Sequence, residues 1–589
     1  MKIRVADYIA RFLVEHDITQ LFSVVGGGAM HLNNAFALES RLNKIYDHHE
    51  QACAIAAESY SRINNKMAAV CVTSGPGGTN AITGVLCAWQ DSLPVMIISG
   101  QVRSDITVDS TGLDLRQFGE QEYYIVRSVK PMTKYAVMVT DAKDIRYHLE
   151  KAYKLALTGR RGPVWIDVPL DIQGQTIDTD ELRTYHEEDD QADLKIDELE
   201  TELKKAKKPV LIAGSGVRTS GALSDLRKIA EKLNIPVICP TSTVDYFSPD
   251  DDLYFGMFGT FGSRAGNFIV QNADLLVVFG ARLSFKQIGF NFEAFSPDSR
   301  KIVIDADKEE LKKPTVHIDL AINADLADVV LALRDAEITL DNMDVKWGDY
   351  CRYLKNKFHD WDKVETENIS AYNFSYRFME KAPEDAVVVL GNNTAAVSML
   401  QCGIAKSGQR MYGNVNCGTM GYDLPASIGA AIAKNGEVYC ATGEGSMMMN
   451  LQELQTMAYN NLPIKIILFD NNKYQAIVGT HQRFFGGVLA GCTNDSGIGF
   501  PSFEKVADTF GFAYKAIDKD KDIDEGIDWI LGYKGRAILD LVQKELDPII
   551  PRLSSKQVEG GKLVSPTIDD LAPFLTKDEY ESCLFKNFK

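Results

Sequence analysis

The feature that most constrains this chain is a repeated alternation. Short, nearly unbroken apolar runs recur along most of the 589 residues, each followed by an amphipathic stretch. An apolar run of strand length reads as a strand buried on both faces. Strands alternating with helices require a parallel sheet covered by helices. Three segments carry the pattern. Residues 1–175 contain LFSVVGG, MAAVCVTSG, LPVMIISG and PVWIDVPL. Residues 190–342 contain PVLIAGSG, IPVICP, ADLLVVFG and KIVIDAD, and residues 365–550 contain AVVVLGNN, GEVYCATGEG, IKIILFDNN and RAILDLV. The acid-rich stretch from Thr176 to about Leu194 reads as a linker, a connector with Trp347 and Tyr350 precedes the third segment, and residues 551–589 read as a tail. The expected fold class is α/β, with three consecutive open parallel-sheet domains.

Bulk properties narrow the function. Lys plus Arg total 63 against 81 Asp plus Glu, a net charge of -18 that argues against nucleic acid and anionic membranes as partners. No apolar run approaches the roughly 18–20 residues that span a bilayer. The N-terminal MKIRVADYIARFLVEHDI reads as an amphipathic helix rather than a signal peptide, so the chain is expected in the cytoplasm. Its ten cysteines form no CxxC pair and read as buried free thiols, and its nine histidines show no zinc-binding spacing.

The chemistry concentrates in the third segment. Gly443-Glu444-Gly445-Ser446 follows one apolar run, and Asp470-Asn471-Asn472-Lys473 follows the next. Each oxygen-rich turn thus sits at the carboxyl end of a strand, where open α/β sheets bind ligands. A glycine turn frees amides for phosphate oxygens, and carboxylate and amide oxygens suit magnesium. In the first segment, Glu50 in YDHHEQ opens an Ala-rich helix, a position that by itself suits any acidic residue beside the helix dipole.

Together these motifs resemble the thiamine-diphosphate enzymes of the acetolactate synthase, pyruvate oxidase and pyruvate decarboxylase family. The paired turns resemble that family's diphosphate motif, GDG followed by NN, with Glu444 and Asp470 as departures. The resemblance implies side-chain metal ligands from Glu444 and Asn471 and a backbone ligand from Lys473; a register slip to Asn472 stays open. YDHHEQ and CVTSGPGGTNAITGV resemble the pyrimidine-binding domain, which implies that Glu50 hydrogen-bonds the cofactor's aminopyrimidine and that a raised carboxyl pKa suits it to shuttle a proton. Gln121 aligns with an active-site Gln. The cofactor-binding set implied by the resemblance adds Gly26, Gly27, Asn80, Asn392, Asn393, Gly418, Met420, Gly443, Gly445, Ser446 and Tyr474. Met420 would wedge under a bent cofactor. His48, His49 and His481 are further candidates for handling protons.

The implied cofactors are thiamine diphosphate and Mg2+. FAD is raised for the central domain by Gly214-Ser215-Gly216, Gly256-Met257-Phe258-Gly259-Thr260 and Asp305-Ala306-Asp307. The implied activity is decarboxylation of a 2-oxo acid such as pyruvate and transfer of the acyl unit to a carbonyl acceptor, in a homodimer or homotetramer. Lys286 replaces the family's substrate-binding Arg, and Thr480 stands where acetolactate synthases carry a Trp. These departures leave a keto-sugar acceptor open. The alternatives are a plain decarboxylase, a flavin-dependent oxidase and a non-catalytic binding homologue.

Overall fold

The computed structural model describes residues 1–186, 192–358, 364–392, 394–545, 547–557 and 563–589. In each segment the four apolar runs form adjacent central strands of a six-stranded parallel sheet. The first sheet is built on Gln20–Ser23, Ala68–Val72, Val95–Gln101 and Val164–Pro169. The second uses Pro209–Ala213, Val237–Pro240, Leu275–Phe279 and Arg300–Asp305. The third uses Val387–Leu390, Val438–Gly443, Ile464–Asp470 and Ala537–Val542. Most residues of these strands are fully buried, because helices cover both faces.

Numbered in chain order within each domain, both flanking sheets run 2-1-3-4-6-5, whereas the central sheet runs 3-2-1-4-5-6. The outer domains are therefore two copies of one topology. One face of each meets the other in a shared core around the helices Glu50–Asn64 and Asp423–Lys434. Small residues allow these helices to approach closely: a Cβ on Gly429 would lie 2.0 Å from the Ala56 carbonyl oxygen. Polar pairs cross the same contact. Tyr422 donates to Glu58 Oε2 at 2.7 Å, and Ser59 Oγ donates to the Ala426 carbonyl at 2.5 Å.

Two sequence expectations need correction. The stretch beginning at Thr176 is not all linker: Thr176–Asp178 pairs antiparallel with Lys2–Arg4, and Asp178 accepts from the N-terminal amine at 2.7 Å. Residues after 550 are not a loose tail. Ile568, Cys583, Phe585 and Phe588 join Trp347 and Tyr350 in a core on one face of the central sheet. The Tyr350 hydroxyl donates to the Cys583 carbonyl at 2.7 Å. No helix among the described residues is long and apolar enough to cross a membrane.

Candidate active site

Order reversals in open sheets create crevices at strand carboxyl ends. In both outer sheets the reversal lies between the first and third strands of the domain. The predicted residues gather at these two places.

In the N-terminal domain, the loop after Gln20–Ser23 carries Gly26 and Gly27. It is held against the loop after Ala68–Val72, with Gly28 N donating to Thr73 Oγ1 at 3.1 Å. A Cβ on Gly26 would lie 2.5 Å from the Thr73 Cβ, so a larger residue cannot keep this approach. Gly75 has φ +59 and caps the helix Pro76–Gln90, which presents Asn80. Asn80 Nδ2 donates to Glu50 Oε2 at 3.0 Å. Glu50, the first residue of its helix, is half-buried. The Gln121 backbone packs on the same turn: a Cβ on Gly75 would meet its carbonyl at 2.2 Å. The Gln121 side chain is exposed, at a residue with φ 60. The expected histidines divide. His49 Nδ1 accepts from Gln51 N at 3.0 Å as a helix cap, and His48 is exposed. His481 lies apart, its Nδ1 against the Val488 carbonyl.

In the C-terminal domain, Gly443 ends its strand and Glu444 opens the helix Glu444–Met449. Glu444 is 2% exposed. Its Oε1 accepts from Lys473 N at 2.9 Å and from Asn471 N at 3.3 Å, so the arm folds back onto the neighbouring turn. Burial outweighs these bonds and raises its pKa to about 7. The Asn471 side-chain amide lies 3.2 Å from Glu444 Oε1 and 2.9 Å from the Lys473 carbonyl oxygen. With its nitrogen toward them it donates to both. With its oxygen toward them three oxygens converge, an arrangement that a divalent cation would neutralise. Asn472, the alternative in register, is exposed with φ +56, and its N–H is bonded to Asp470.

The rest of the predicted set surrounds this turn. A Cβ on Gly445 would lie 2.1 Å from the Tyr474 ring and 3.1 Å from Met420 Cε, so these three residues form one cradle. Ser446 Oγ accepts from Gly421 N at 2.9 Å. Asn392 Nδ2 donates to the Thr419 carbonyl at 2.7 Å, and Gly418 takes φ +64. Asn393 lies outside the described residues. Sequence reasoning missed Asp423, which is fully buried and accepts from Thr442 Oγ1 at 2.5 Å beneath this loop. A lone acid opening the apolar stretch DLPASIGAAIAK was the available sign. Among the described residues no hydrogen bond or ion pair joins the Glu50 group to the Glu444 group. Exposed apolar side chains flank both: Val25 and Tyr46 beside the first, Met448 and Met449 beside the second.

The central sheet has its own crevice. A cavity of about 100 Å³ lies at the junction of the three domains, lined by Ser215, Gly216, Asp305 and Ala306 together with Arg62, Arg160 and Arg282. Gly214 and Gly280 are in backbone contact at its floor. The stretch Gly256–Thr260 does not line it; Tyr254–Phe258 is an edge strand of the sheet.

Two domains of one topology flanking a third parallel sheet, with paired oxygen-rich turns at strand ends of the C-terminal domain, define the thiamine pyrophosphate enzymes. Family profiles agree in the same order. Residues 3–121 match the N-terminal TPP binding domain, 196–333 the central domain and 391–541 the C-terminal TPP binding domain of that family. The chain belongs to the thiamine pyrophosphate enzyme family and is a thiamine-diphosphate-dependent, acetolactate-synthase-like enzyme. It is 30% identical over 93% of its length to the acetolactate synthase isozyme 2 large subunit of Escherichia coli, covering 96% of that chain. It is 29% identical over 93% of its length to the chloroplastic acetolactate synthase 1 of Nicotiana tabacum, covering 83% of that protein. Against the acetolactate synthase large subunit of Lactococcus lactis it is 28% identical over 92% of its length, covering 93%.

Proposed function

We propose that this protein is a magnesium- and thiamine-diphosphate-dependent carboligase. It decarboxylates a 2-oxo acid, pyruvate being the donor, and transfers the acyl unit to a carbonyl acceptor, a keto-sugar among the candidates. The observation that carries this reading is the convergence of Glu444, Asn471 and the Lys473 carbonyl beside the cradle of Gly445, Tyr474 and Met420. These residues fit the diphosphate and its metal. When bound, thiamine diphosphate supplies the carbon nucleophile and electron sink that decarboxylation of a 2-oxo acid requires.

The chain's own residues supply the rest. Glu444 and Asn471 hold the metal through side-chain oxygens and Lys473 through its carbonyl. Gly443, Gly445 and Ser446 present the helix start to phosphate oxygens. Met420 would wedge under the bound cofactor with Tyr474 beside it, and Gly418 and Asn392 would shape the adjoining loop. Glu50, oriented by Asn80, holds and returns a proton at the aminopyrimidine ring. Gly26, Gly27 and Gln121 line the substrate side. Because no hydrogen bond or ion pair among the described residues joins the two groups in one chain and exposed apolar residues flank each, the proposed working unit is a homodimer or homotetramer in which one chain's Glu50 faces another's Glu444. The cytoplasm is its proposed location. The central cavity, with its arginines and paired glycine turns, suits FAD; flavin absorbance of the purified protein tests that assignment.

Carbon dioxide release from pyruvate, with mass spectrometry of the products, tests the function. Acetolactate or another ligated product supports carboligation. Acetaldehyde alone would make the protein a decarboxylase, and peroxide with acetate an oxidase. Glu50→Gln is expected to retain cofactor binding while losing turnover by about 100-fold or more; full activity would remove Glu50 from the reaction.

A further inference from the structure

A second cavity, of about 370 Å³, opens between the central domain, the segment after the metal turn, and Leu553, Ser554, Ser555 and Ser565. Its walls combine two chemistries. Phe285 and Phe290 stack with ring centroids 6.0 Å apart and planes 15° apart, and Phe484 faces them from the other domain. All three rings are unusually open for phenylalanine, at 49%, 70% and 61% exposed. Between them stand two cations, Lys286 and Arg483, and no carboxylate among the described residues lines the space. The lining is thus cationic in a chain of net charge -18. Ser554 and Ser555 add hydroxyls from the C-terminal segment, which is tied down by Leu553 N donating to the Thr260 carbonyl at 2.7 Å.

Both cations lie next to segments that carry proposed cofactor residues. Lys286 donates to the Val415 carbonyl, just before the Gly418–Met420 loop. Arg483 lies on the helix Gln475–Phe484, which begins immediately after Tyr474. The guanidinium rests 5.2 Å from the Phe484 ring centroid, so its side chain is already partly ordered. A free 2-oxo acid occupies a small fraction of such a volume and offers nothing for the rings to stack on. Aromatic faces beside a guanidinium and an ammonium match a ligand with a ring and a phosphate.

We propose that this cavity is the acceptor site and that the acceptor is a ring-bearing carbonyl compound carrying a phosphate or diphosphate group, held by Lys286 and Arg483 and stacked on Phe285 and Phe290. The proposal rests on the carboligase reading and names its acceptor class. The bond formed joins the acyl carbon of the donor to the acceptor's carbonyl carbon; the acceptor oxygen takes the proton, and carbon dioxide has already left the donor.

The test uses holoenzyme loaded with thiamine diphosphate and magnesium, so that the cofactor's own phosphate site is filled. Calorimetry compares phenyl phosphate with phenol, and kcat/KM compares 3-formylphenyl phosphate with benzaldehyde as acceptors for pyruvate. The phosphate compound is expected to be favoured by about tenfold or more in both measurements. Arg483→Ala is expected to bring both ratios near one, and Arg483→Lys to restore part of the preference. Equal binding of phenyl phosphate and phenol, or a preference that survives both Arg483→Ala and Lys286→Ala, overturns the proposal. Loss of dimer mass in Phe290→Ser with unchanged phosphate preference would assign the rings to a second copy of the chain and overturns it equally. The binding arm needs no turnover, so absence of carbon dioxide release would sink the carboligase reading separately.

Discussion

Asp47 lies three residues before Glu50, fully buried, with no N–H or O–H partner for either carboxyl oxygen among the described residues. Burial first and the neighbouring Glu453 carboxyl second hold its pKa well above the usual carboxylate range. Glu453 itself accepts from His48 N at 3.2 Å and from Thr456 Oγ1 at 2.6 Å, so it is the better placed of the two to carry charge. The folded state therefore binds a proton at Asp47 more tightly than the unfolded chain. That contribution is present in full at low pH and is lost as pH rises through the folded pKa. Asp47→Asn cannot ionise and is expected to melt higher than the parent at about pH 8, with a smaller difference at about pH 5. An equal difference at both pH values would show that Asp47 does not titrate with folding. Cys417 offers a second test at this scale. A hydrogen bond from the Cys87 thiol is the main reason that its pKa falls to about 7. Alkylation of Cys417 in the cofactor-free protein is expected to have its midpoint near that value, and Cys87→Ala is expected to move the midpoint upward. An unmoved midpoint would assign the lowered pKa to another group.

Among elements, the contact between the helices Glu50–Asn64 and Asp423–Lys434 decides most. It joins the domain that carries Glu50 to the domain that carries Glu444, and its closeness depends on small residues. Glu58 and Asp91 both meet Arg62 at its edge, and Asn416, beside Cys417, donates to Asp91. The Gly418–Met420 loop is thereby tied to the first domain. Gly429→Ala would drive a methyl into the Ala56 carbonyl and is expected to destabilise the protein by about 1–3 kcal/mol. Chemical denaturation measures this, and an unchanged midpoint would mean that the helices separate without cost. At the Glu444 turn, Gly445→Ala is expected to abolish thiamine diphosphate binding, because its methyl would displace the Tyr474 ring. Calorimetric titration with the cofactor and magnesium checks this; undiminished binding would remove the cradle from the site.

At the scale of the whole molecule, the C-terminal segment and the connector helix Trp347–Lys357 complete the central domain. Trp347 Nε1 donates to the Pro209 carbonyl at 3.0 Å, and the Phe585 ring packs edge-on against Trp347 and Tyr350. Truncation after residue 550 would expose this core and is expected to lower the melting temperature and yield of the whole chain. A truncated chain that melts like the parent would show the central sheet to be self-sufficient. Interdomain ion pairs fix the three units further: Arg160 reaches Asp307 at 2.9 Å, and Arg410 reaches Asp245 at 2.8 Å. Since no hydrogen bond or ion pair among the described residues joins the Glu50 and Glu444 groups within one chain, the proposed oligomer predicts that activity falls on dilution in step with its dissociation. Analytical ultracentrifugation alongside activity checks this, and a fully active monomer would overturn it.

The twelve central strands were legible because a strand flanked by others and covered on both faces must be apolar throughout, and such runs need no partner to be recognised. All six edge strands escaped. Asn43–Tyr46 and Ala513–Ile517 each bury only one residue fully, and Tyr254–Phe258, although buried, is broken by Gly256 at φ +96. The turns at Glu444 and Asn471 were likewise legible, since each sits directly on the end of a recognisable strand and resembles a known motif. Three facts depended on the tertiary structure: the shared core of the outer domains, the union of the connector with the C-terminal segment, and the meeting of Lys286, Arg483 and three phenylalanines around one cavity. Those residues are separated by up to hundreds of positions. Their local sequences carry no mark of one another, because packing between distant segments, rather than any local preference, brings them together.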